Sequence, residues 1–231
     1  METGSKSVPR PFSTSVGKKV LMAASGAALA GFVVAHLAGN LQIFLGQEAV
    51  NRYAHFLKST PGLLWSARLF LLAMGALHVV TSAQLNREAR AARPEPYAGK
   101  AYIKASPASR TMFASGLIIL GFIVYHLLHF TFLKLHPQYG QLTDALGRHD
   151  VYSMMVLSFL NPLICAAYIV PVFCLCLHLS HGLSSLFQSL GINTERSRAG
   201  LAAGAVVFAW GLFAGYAIIP IACQLGWVKL P

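Results

Sequence analysis

The chain has 231 residues, of which 55% are hydrophobic and only 11% are charged, and its formal net charge is +11. A soluble domain carries about 25% charged residues, so this composition excludes an ordinary soluble protein and indicates an integral membrane protein with a single helical domain. Residues 1–19 are polar and basic, which is not typical of a cleaved signal peptide, so we expect the first span to be retained.

Five apolar segments are long enough to cross a membrane as helices, which takes roughly 20 residues each. In chain order they lie near residues 20–45, 62–85, 111–133, 152–186 and 199–222. The fourth contains Asn161-Pro162 and Pro171. Neighbouring helices satisfy backbone groups that proline frees within a membrane, so we expect a kink there rather than a break. The predicted fold is therefore an all-α integral membrane protein of five transmembrane helices, the first four forming a bundle.

The basic residues are divided unequally between the two ends of these spans. Twelve lie in the N-terminal tail and in alternate loops: Lys6, Arg10, Lys18, Lys19, Arg87, Arg90, Arg93, Lys100, Lys104, Arg110, Arg196 and Arg198. Six lie on the other side: Arg52, Lys58, Arg68, Lys134, Arg148 and Lys229. Because an excess of basic residues marks the cytoplasmic side, we expect a cytoplasmic N-terminus. The net positive charge is explained by membrane topology, by contact with anionic lipid or by an acidic protein partner. It does not indicate nucleic-acid binding.

One histidine lies within each of the first four spans: His36, His78, His126 and His178. An ionisable side chain in the hydrocarbon region is costly, so each is a candidate functional residue that faces the bundle interior. At about 1.5 Å per residue, His36 and His126 lie roughly 25 and 24 Å from the inner boundary, and His78 lies roughly 14 Å from it. His178 lies near the inward end of span four. These depths predict an outer pair, His36 with His126, and an inner pair, His78 with His178.

Two imidazoles that face each other across a helical bundle are suited to fill both axial positions of a haem iron. The sequence therefore predicts a haem-binding bundle with two b-type haems, which suits electron transfer rather than dioxygen chemistry. Attachment is expected to be non-covalent because no C-x-x-C-H motif occurs. A hydrogen bond to a neighbouring helix is the ordinary explanation of one intramembrane histidine, but not of four at two matched depths. His129 and His181 each follow a predicted ligand by three residues and are alternative ligands.

Several segments resemble the five-helix, di-haem cytochrome b subunit of succinate:quinone oxidoreductases, of the succinate dehydrogenase and fumarate reductase type. They are AHLAGN around His36, QEAVNRYAHFL after span one, ALHVV around His78, FIVYHLLHF around His126 and FCLCLHLSHGLSSLFQSLGINTERSR from His178 onward. The similarity covers nearly the whole chain. In that family each of the first four helices supplies one axial ligand and the fifth supplies none, and the fifth span here has no histidine.

The resemblance implies a multi-pass subunit of the bacterial inner membrane that anchors soluble partners and transfers electrons. A flavoprotein subunit and an iron–sulfur subunit would bind on the cytoplasmic face, and they would hold the FAD and the iron–sulfur clusters. Two haem b groups would connect the iron–sulfur subunit with membrane quinone, which is menaquinone in similar members. The chain would be part of an enzyme without touching succinate or fumarate itself.

Glu48 is the only acidic residue in the first outer loop, and His55 lies nearby. Quinone chemistry moves protons together with electrons, so a quinone site needs a group that handles protons. We expect Glu48 to be that carboxylate, beside an outer quinone pocket, with His55 assisting. The ordinary explanation is that Glu48 only caps a short helix at the membrane interface. Asp144 and Asp150 are weaker candidates, and a quinone site on the inner side stays open.

Three other functions fit parts of the pattern. One is a di-haem cytochrome b that anchors another respiratory oxidoreductase, of the hydrogenase or formate dehydrogenase type. A second is a haem-free anchor whose histidines only bond neighbouring helices. A third is a proton-coupled transporter, which we expect to show internal repeats with interrupted helices in corresponding halves. No such repeat is recognised from the spans alone.

Overall fold

The computed structural model describes residues 14–92 and 107–231. Most of these residues are helical, and an isolated β-bridge joins Thr143 and His149. The helices are α1 (Ser15–Leu41), α2 (Gln47–Ser59), α3 (Pro61–Ala91), α4 (Pro107–His126), α5 (Val151–Phe159), α6 (Pro162–Ser189) and α7 (Glu195–Gln224). Five of them, α1, α3, α4, α6 and α7, are long and apolar enough to cross a membrane. The predicted all-α class, with five helices long and apolar enough to cross a membrane, is therefore confirmed in the described residues. Lys6, Arg10, Arg93, Lys100 and Lys104, counted above for orientation, lie outside the described residues.

The helix starts follow from local capping residues. The Thr14 side chain accepts a hydrogen bond of 3.0 Å from the Gly17 amide at the start of α1. Thr194 and Ser197 form a capping box at the start of α7. α3 and α6 each begin with a proline, which is favoured in the first helical turn because its missing N–H would have no partner there.

The five long helices run alternately up and down. We call the end of the bundle where α1 begins at Ser15 the tail end, and the end where α1 finishes at Leu41 the loop end. α1 packs along α3, and α4 packs along α6. The two helix pairs meet where α1 contacts α6, and α7 lies across α6 and α1. α2 and α5 pack on each other at the loop end.

The expectation of a kinked fourth span is wrong at Asn161-Pro162. The chain breaks there, so α5 and α6 are separate helices and the long helix begins at Pro162 instead of near residue 152. The Asn161 side chain accepts a hydrogen bond of 2.9 Å from the Leu163 amide and caps α6. A residue before proline is disfavoured in helical conformation, and Asn161 takes an extended one. Pro171, by contrast, lies within a continuous α6.

The chain folds as two similar halves followed by α7. The first half is α1, a 3₁₀ turn (Gln42–Leu45), α2 and α3; the second is α4, a 3₁₀ turn (Pro137–Gln141), α5 and α6. Each half thus has two long helices joined through a short one, and the second long helix begins with proline. α1 and α4 both begin at the tail end, so the halves are parallel repeats, which are related by an axis along the bundle.

A sequence repeat accompanies this structural one. Residues 22–36 read MAASGAALAGFVVAH and residues 112–126 read MFASGLIILGFIVYH, which share M-x-A-S-G-x-x-x-x-G-F-x-V-x-H without a gap. The expectation that the chain lacks an internal repeat is therefore wrong. A hydropathy profile does not reveal the repeat because both segments are uniformly apolar. The repeat becomes visible only when α1 and α4, the first helix of each half, are aligned residue by residue. α1, α3, α6 and α7 remain continuous, unlike the interrupted helices expected of a transporter.

Candidate functional site: two histidine pairs on the axis between the halves

The structure brings the four intramembrane histidines together as two pairs. The ring centres of His36 on α1 and His126 on α4 are 5.8 Å apart, with the ring planes at 82°. The ring centres of His78 on α3 and His178 on α6 are 6.3 Å apart, with the planes at 63°. These are the outer and inner pairs that the depths in the sequence predict. Each half contributes one histidine to each pair, so both pairs lie between the halves.

Two levels follow from the helix geometry. Ser25 on α1 lies beside His78, and the same helix carries His36 further along. From Ser25 to His36, α1 rises about 16 Å at about 1.5 Å per residue. The inner pair therefore lies towards the tail end and the outer pair towards the loop end.

Neighbouring helices orient the two inner rings. The Nδ1 atom of His78 lies 3.2 Å from the Met22 carbonyl oxygen and 3.4 Å from the Ser25 hydroxyl, both on α1. The Nδ1 atom of His178 lies 3.2 Å from the Ser115 hydroxyl on α4. In each ring, Nδ1 makes these contacts, which leaves Nε2 available as a donor atom towards a metal.

The outer pair is held differently. His36 stacks on Phe32 with ring centres 5.3 Å apart, and the ring of Tyr216 on α7 lies 6.4 Å away. The Tyr216 hydroxyl donates a hydrogen bond of 2.6 Å to the Val33 carbonyl oxygen. Within the described part of the chain, the buried Nδ1 of His126 has no hydrogen-bond partner.

The spacing within both pairs suits a metal ion bound between two imidazoles. With bonds of about 2 Å from nitrogen to metal, two such rings stand with their centres about 6 Å apart. Among residues 14–92 and 107–231, no group of three or more metal-binding side chains is found. A pair of imidazoles is a donor set that could hold haem iron. The inner pair fits a bound haem by the spacing and the orientation of its rings, and the outer pair fits it by the spacing of its rings.

His129 is engaged in the protein interior instead. Its ring is fully buried, with Nδ1 2.9 Å from the Tyr168 hydroxyl and Nε2 3.2 Å from the Ser158 hydroxyl. With both nitrogens hydrogen-bonded, His129 has no free donor atom for a metal. A π-helical turn at Leu127–Thr131, which was not predicted, follows His126. The rings of His126 and His129 both lie against Tyr168, but of the two only His126 also contacts His36. His181 is half-buried on α6.

A polar cluster, which we call the loop-end network, joins α2 to the chain before α5. Its members are Gln47, Glu48, Asn51, Asp144, Arg148 and Asp150. The fully buried Asn51 donates from Nδ2 to Asp150 at 2.9 Å and to Asp144 at 3.3 Å. Its Oδ1 accepts a hydrogen bond of 3.1 Å from the Tyr152 amide. Gln47 donates to the other oxygen of Asp150 at 2.8 Å.

Glu48 belongs to this network through an ion pair. The Arg148 guanidinium contacts both of its carboxylate oxygens, at 2.5 and 3.3 Å, and also binds Asp144 at 2.7 Å. The hydrogen bond from Arg148 lowers the pKa of Glu48. Burial raises the pKa of Asp144, but hydrogen bonds from Arg148 and nearby groups outweigh it and lower this pKa to about 2. Both carboxylates are therefore ionised at neutral pH.

Glu48 and His55 both lie on the short helix α2, within the segment that follows the first span, but they make different contacts. The Glu48 side chain is 61% exposed and bound to Arg148. His55 is exposed, and no contact between it and Glu48 is found in the described residues. The structure thus supplies an ion-pair partner for Glu48 that the loop sequence did not reveal, because Arg148 follows it by a hundred positions.

No family model matches this chain, and neither a curated protein nor a solved structure matches it significantly.

Proposed function

We propose that this chain is a membrane-embedded electron-transfer subunit that holds two b-type haems and exchanges electrons with membrane quinone. The observation that carries the proposal is the pair of facing histidines at each of two levels, with ring centres 5.8 and 6.3 Å apart. Bound haem iron would supply reversible one-electron chemistry at each level, where two imidazoles would hold it. The outer ligands would be His36 and His126, and the inner ligands His78 and His178.

The protein's own part is to hold these rings in place and to exclude water. The contacts of Nδ1 in His78 and His178 fix the inner rings on neighbouring helices. Around the outer pair, aromatic side chains make an apolar wall: Phe32, Phe122, Phe130, Tyr168 and Tyr216. A low-polarity surrounding of this kind tunes the potential of a bound iron and keeps solvent away from it.

We further propose that soluble partners bind at the tail end, which would be the cytoplasmic face of a bacterial inner membrane. By the resemblance noted above, they are an iron–sulfur subunit and a flavoprotein subunit of a succinate dehydrogenase or fumarate reductase. Support comes from the basic residues near this end, among them Lys19, Arg87 and Arg90, which suit an acidic protein surface or anionic lipid. Co-purification with hydrogenase or formate dehydrogenase subunits would instead favour the alternative oxidoreductase.

The first experiment is a reduced-minus-oxidised absorption spectrum of the detergent-purified full chain, with haem extraction and counting. We expect b-type bands and two haems per chain, because two bis-histidine sites are present. A chain that expresses and folds as a helical protein but carries no haem would contradict the proposal and leave the haem-free anchor as the function.

A quinone site at the loop end would use Glu48 for proton transfer, with His55 assisting. The ion pair with Arg148 stabilises the charged carboxylate, so Glu48 accepts a proton at neutral pH only after it leaves Arg148. If this movement is part of turnover, Glu48→Gln abolishes quinone reduction or quinol oxidation while both haem spectra are retained. Ser59→Ala, on the same helix but outside the loop-end network, is the control. Full quinone turnover in Glu48→Gln would remove Glu48 from the reaction.

A further inference from the structure

Two serines occupy the same position of the internal repeat, and each contacts one histidine of the inner pair. Ser25 on α1 lies 3.4 Å from Nδ1 of His78 on α3, within the first half. Ser115 on α4 lies 3.2 Å from Nδ1 of His178 on α6, within the second half. Both serines are buried, with 0% and 4% of their surface exposed. The repeat therefore reproduces not only a histidine on its first helix but also a contact to the histidine on its last helix.

The direction of these hydrogen bonds follows from the groups present. The Met22 carbonyl next to His78 can only accept, so Nδ1 of His78 must donate to it. The Ser25 hydroxyl donates to the Leu21 carbonyl of its own helix at 2.8 Å. The Ser115 hydroxyl donates to the Met112 carbonyl at 3.1 Å. Since each hydroxyl proton is used within its own helix, each serine oxygen is free to accept from the ring.

The residue after each serine is a glycine, and the first of these permits a close approach of the ring. A Cβ atom added at Gly26 would lie 3.2 Å from Cε1 of His78, which is tighter than ordinary contact. A Cβ atom at Gly116 would lie 3.6 Å from Cε1 of His178, which is an ordinary contact distance. The serine of each half thus provides an acceptor for one side of the ring, and Gly26 also provides space beside His78.

We propose that Ser25 and Ser115 are equivalent positioning residues, which hold Nδ1 of the two inner histidines as the protonated donor and direct Nε2 between the halves. This inference rests on the proposed function, since Nε2 of both rings is taken as the atom that binds haem iron. A histidine ligand whose other nitrogen donates a hydrogen bond is more basic and stabilises the ferric state. His126 of the outer pair has no equivalent contact, because its buried Nδ1 lacks a partner in the described residues.

The experiment compares Ser25→Ala, Ser115→Ala, the double variant and Ser180→Ala in the full chain. Ser180 lies two residues after His178, and its hydroxyl donates to the Leu177 carbonyl of its own helix, so Ser180→Ala is a matched control for loss of a half-buried serine. Redox titration should show that each of the first two variants raises the midpoint potential of one haem, the same haem in both. The double variant should raise this midpoint potential further, and the midpoint potential of the other haem should not change. Selective loss of that same haem would also support the proposal.

A second measurement does not need haem. With ¹⁵N-labelled histidine in the haem-free chain, NMR should show His78 and His178 in the Nδ1-protonated form, and each alanine variant should change the population of its own histidine alone. An unshifted potential in the double variant, an equal shift in Ser180→Ala, or an Nε2-protonated inner pair would overturn the proposal. A wild-type chain without haem would overturn the proposed function, while the tautomer result would still decide whether the serines orient the rings.

Discussion

His78→Ala should reduce the haem content of the purified chain by about half, from two haems to one. Alanine offers no donor atom, so His178 would face an iron with one axial position open, and a b-type haem held by a single imidazole is readily lost or becomes high-spin. His36 and His126 stand about 16 Å away along α1 and should keep the second haem. Haem extraction together with electron paramagnetic resonance would measure both effects.

His129→Ala provides the matched control for this prediction. His129 is also an intramembrane histidine, but both of its ring nitrogens bind hydroxyl groups, those of Tyr168 and Ser158. Its replacement should lower stability and leave two haems per chain. If His129→Ala lost haem while His78→Ala kept both haems as low-spin species, the assignment of the inner pair as ligands would be wrong.

Asn51→Leu should lower the free energy of unfolding by about 3 kcal/mol, because it leaves buried polar groups without partners. Leucine removes the donors to Asp150 and Asp144 and the acceptor of the Tyr152 amide in one change. Asp150 also caps α5 by accepting from the Ser153 amide at 3.0 Å, so the loss extends to the start of that helix. Equilibrium unfolding in mixed micelles, followed by circular dichroism, would measure it.

The control for the loop-end network is Ser59→Ala. Ser59 ends the same helix α2 but is exposed, and its hydroxyl donates only to the Phe56 carbonyl, so its replacement should change the unfolding free energy by less than about 0.5 kcal/mol. Equal stability of Asn51→Leu and the wild type would show that the network does not hold α2 against α5.

The pairing of the histidines could be predicted from the sequence because it depends on one variable, the depth of a residue in a helix. His36 and His126 follow the basic starts of α1 and α4 by nearly equal lengths, and the rise per residue fixes their level. The existence of five spans follows in the same way from apolar length. Neither prediction needs any knowledge of how side chains pack.

The parts that were missed depend on contacts between distant segments or on local backbone geometry. Asn161 ends one helix and caps the next, an outcome that hydropathy does not distinguish from a kink because both sides are apolar. The role of Glu48 depends on Arg148, which no local pattern connects with it. The hydrogen bonds of His129, which lies in a π-helical turn, are made with Tyr168 and Ser158 on other helices.

The two halves agree closely up to their outer histidines and diverge immediately afterwards. Three residues beyond His36 comes Gly39, so close to the Tyr53 ring that an added Cβ would lie 2.8 Å from it. Three residues beyond His126 comes His129, in the π-helical turn. The inner histidine pair therefore has similar surroundings in the two halves, whereas the outer pair has different surroundings. If haem binds at both levels, identical imidazole ligands would then hold two irons of different reduction potential.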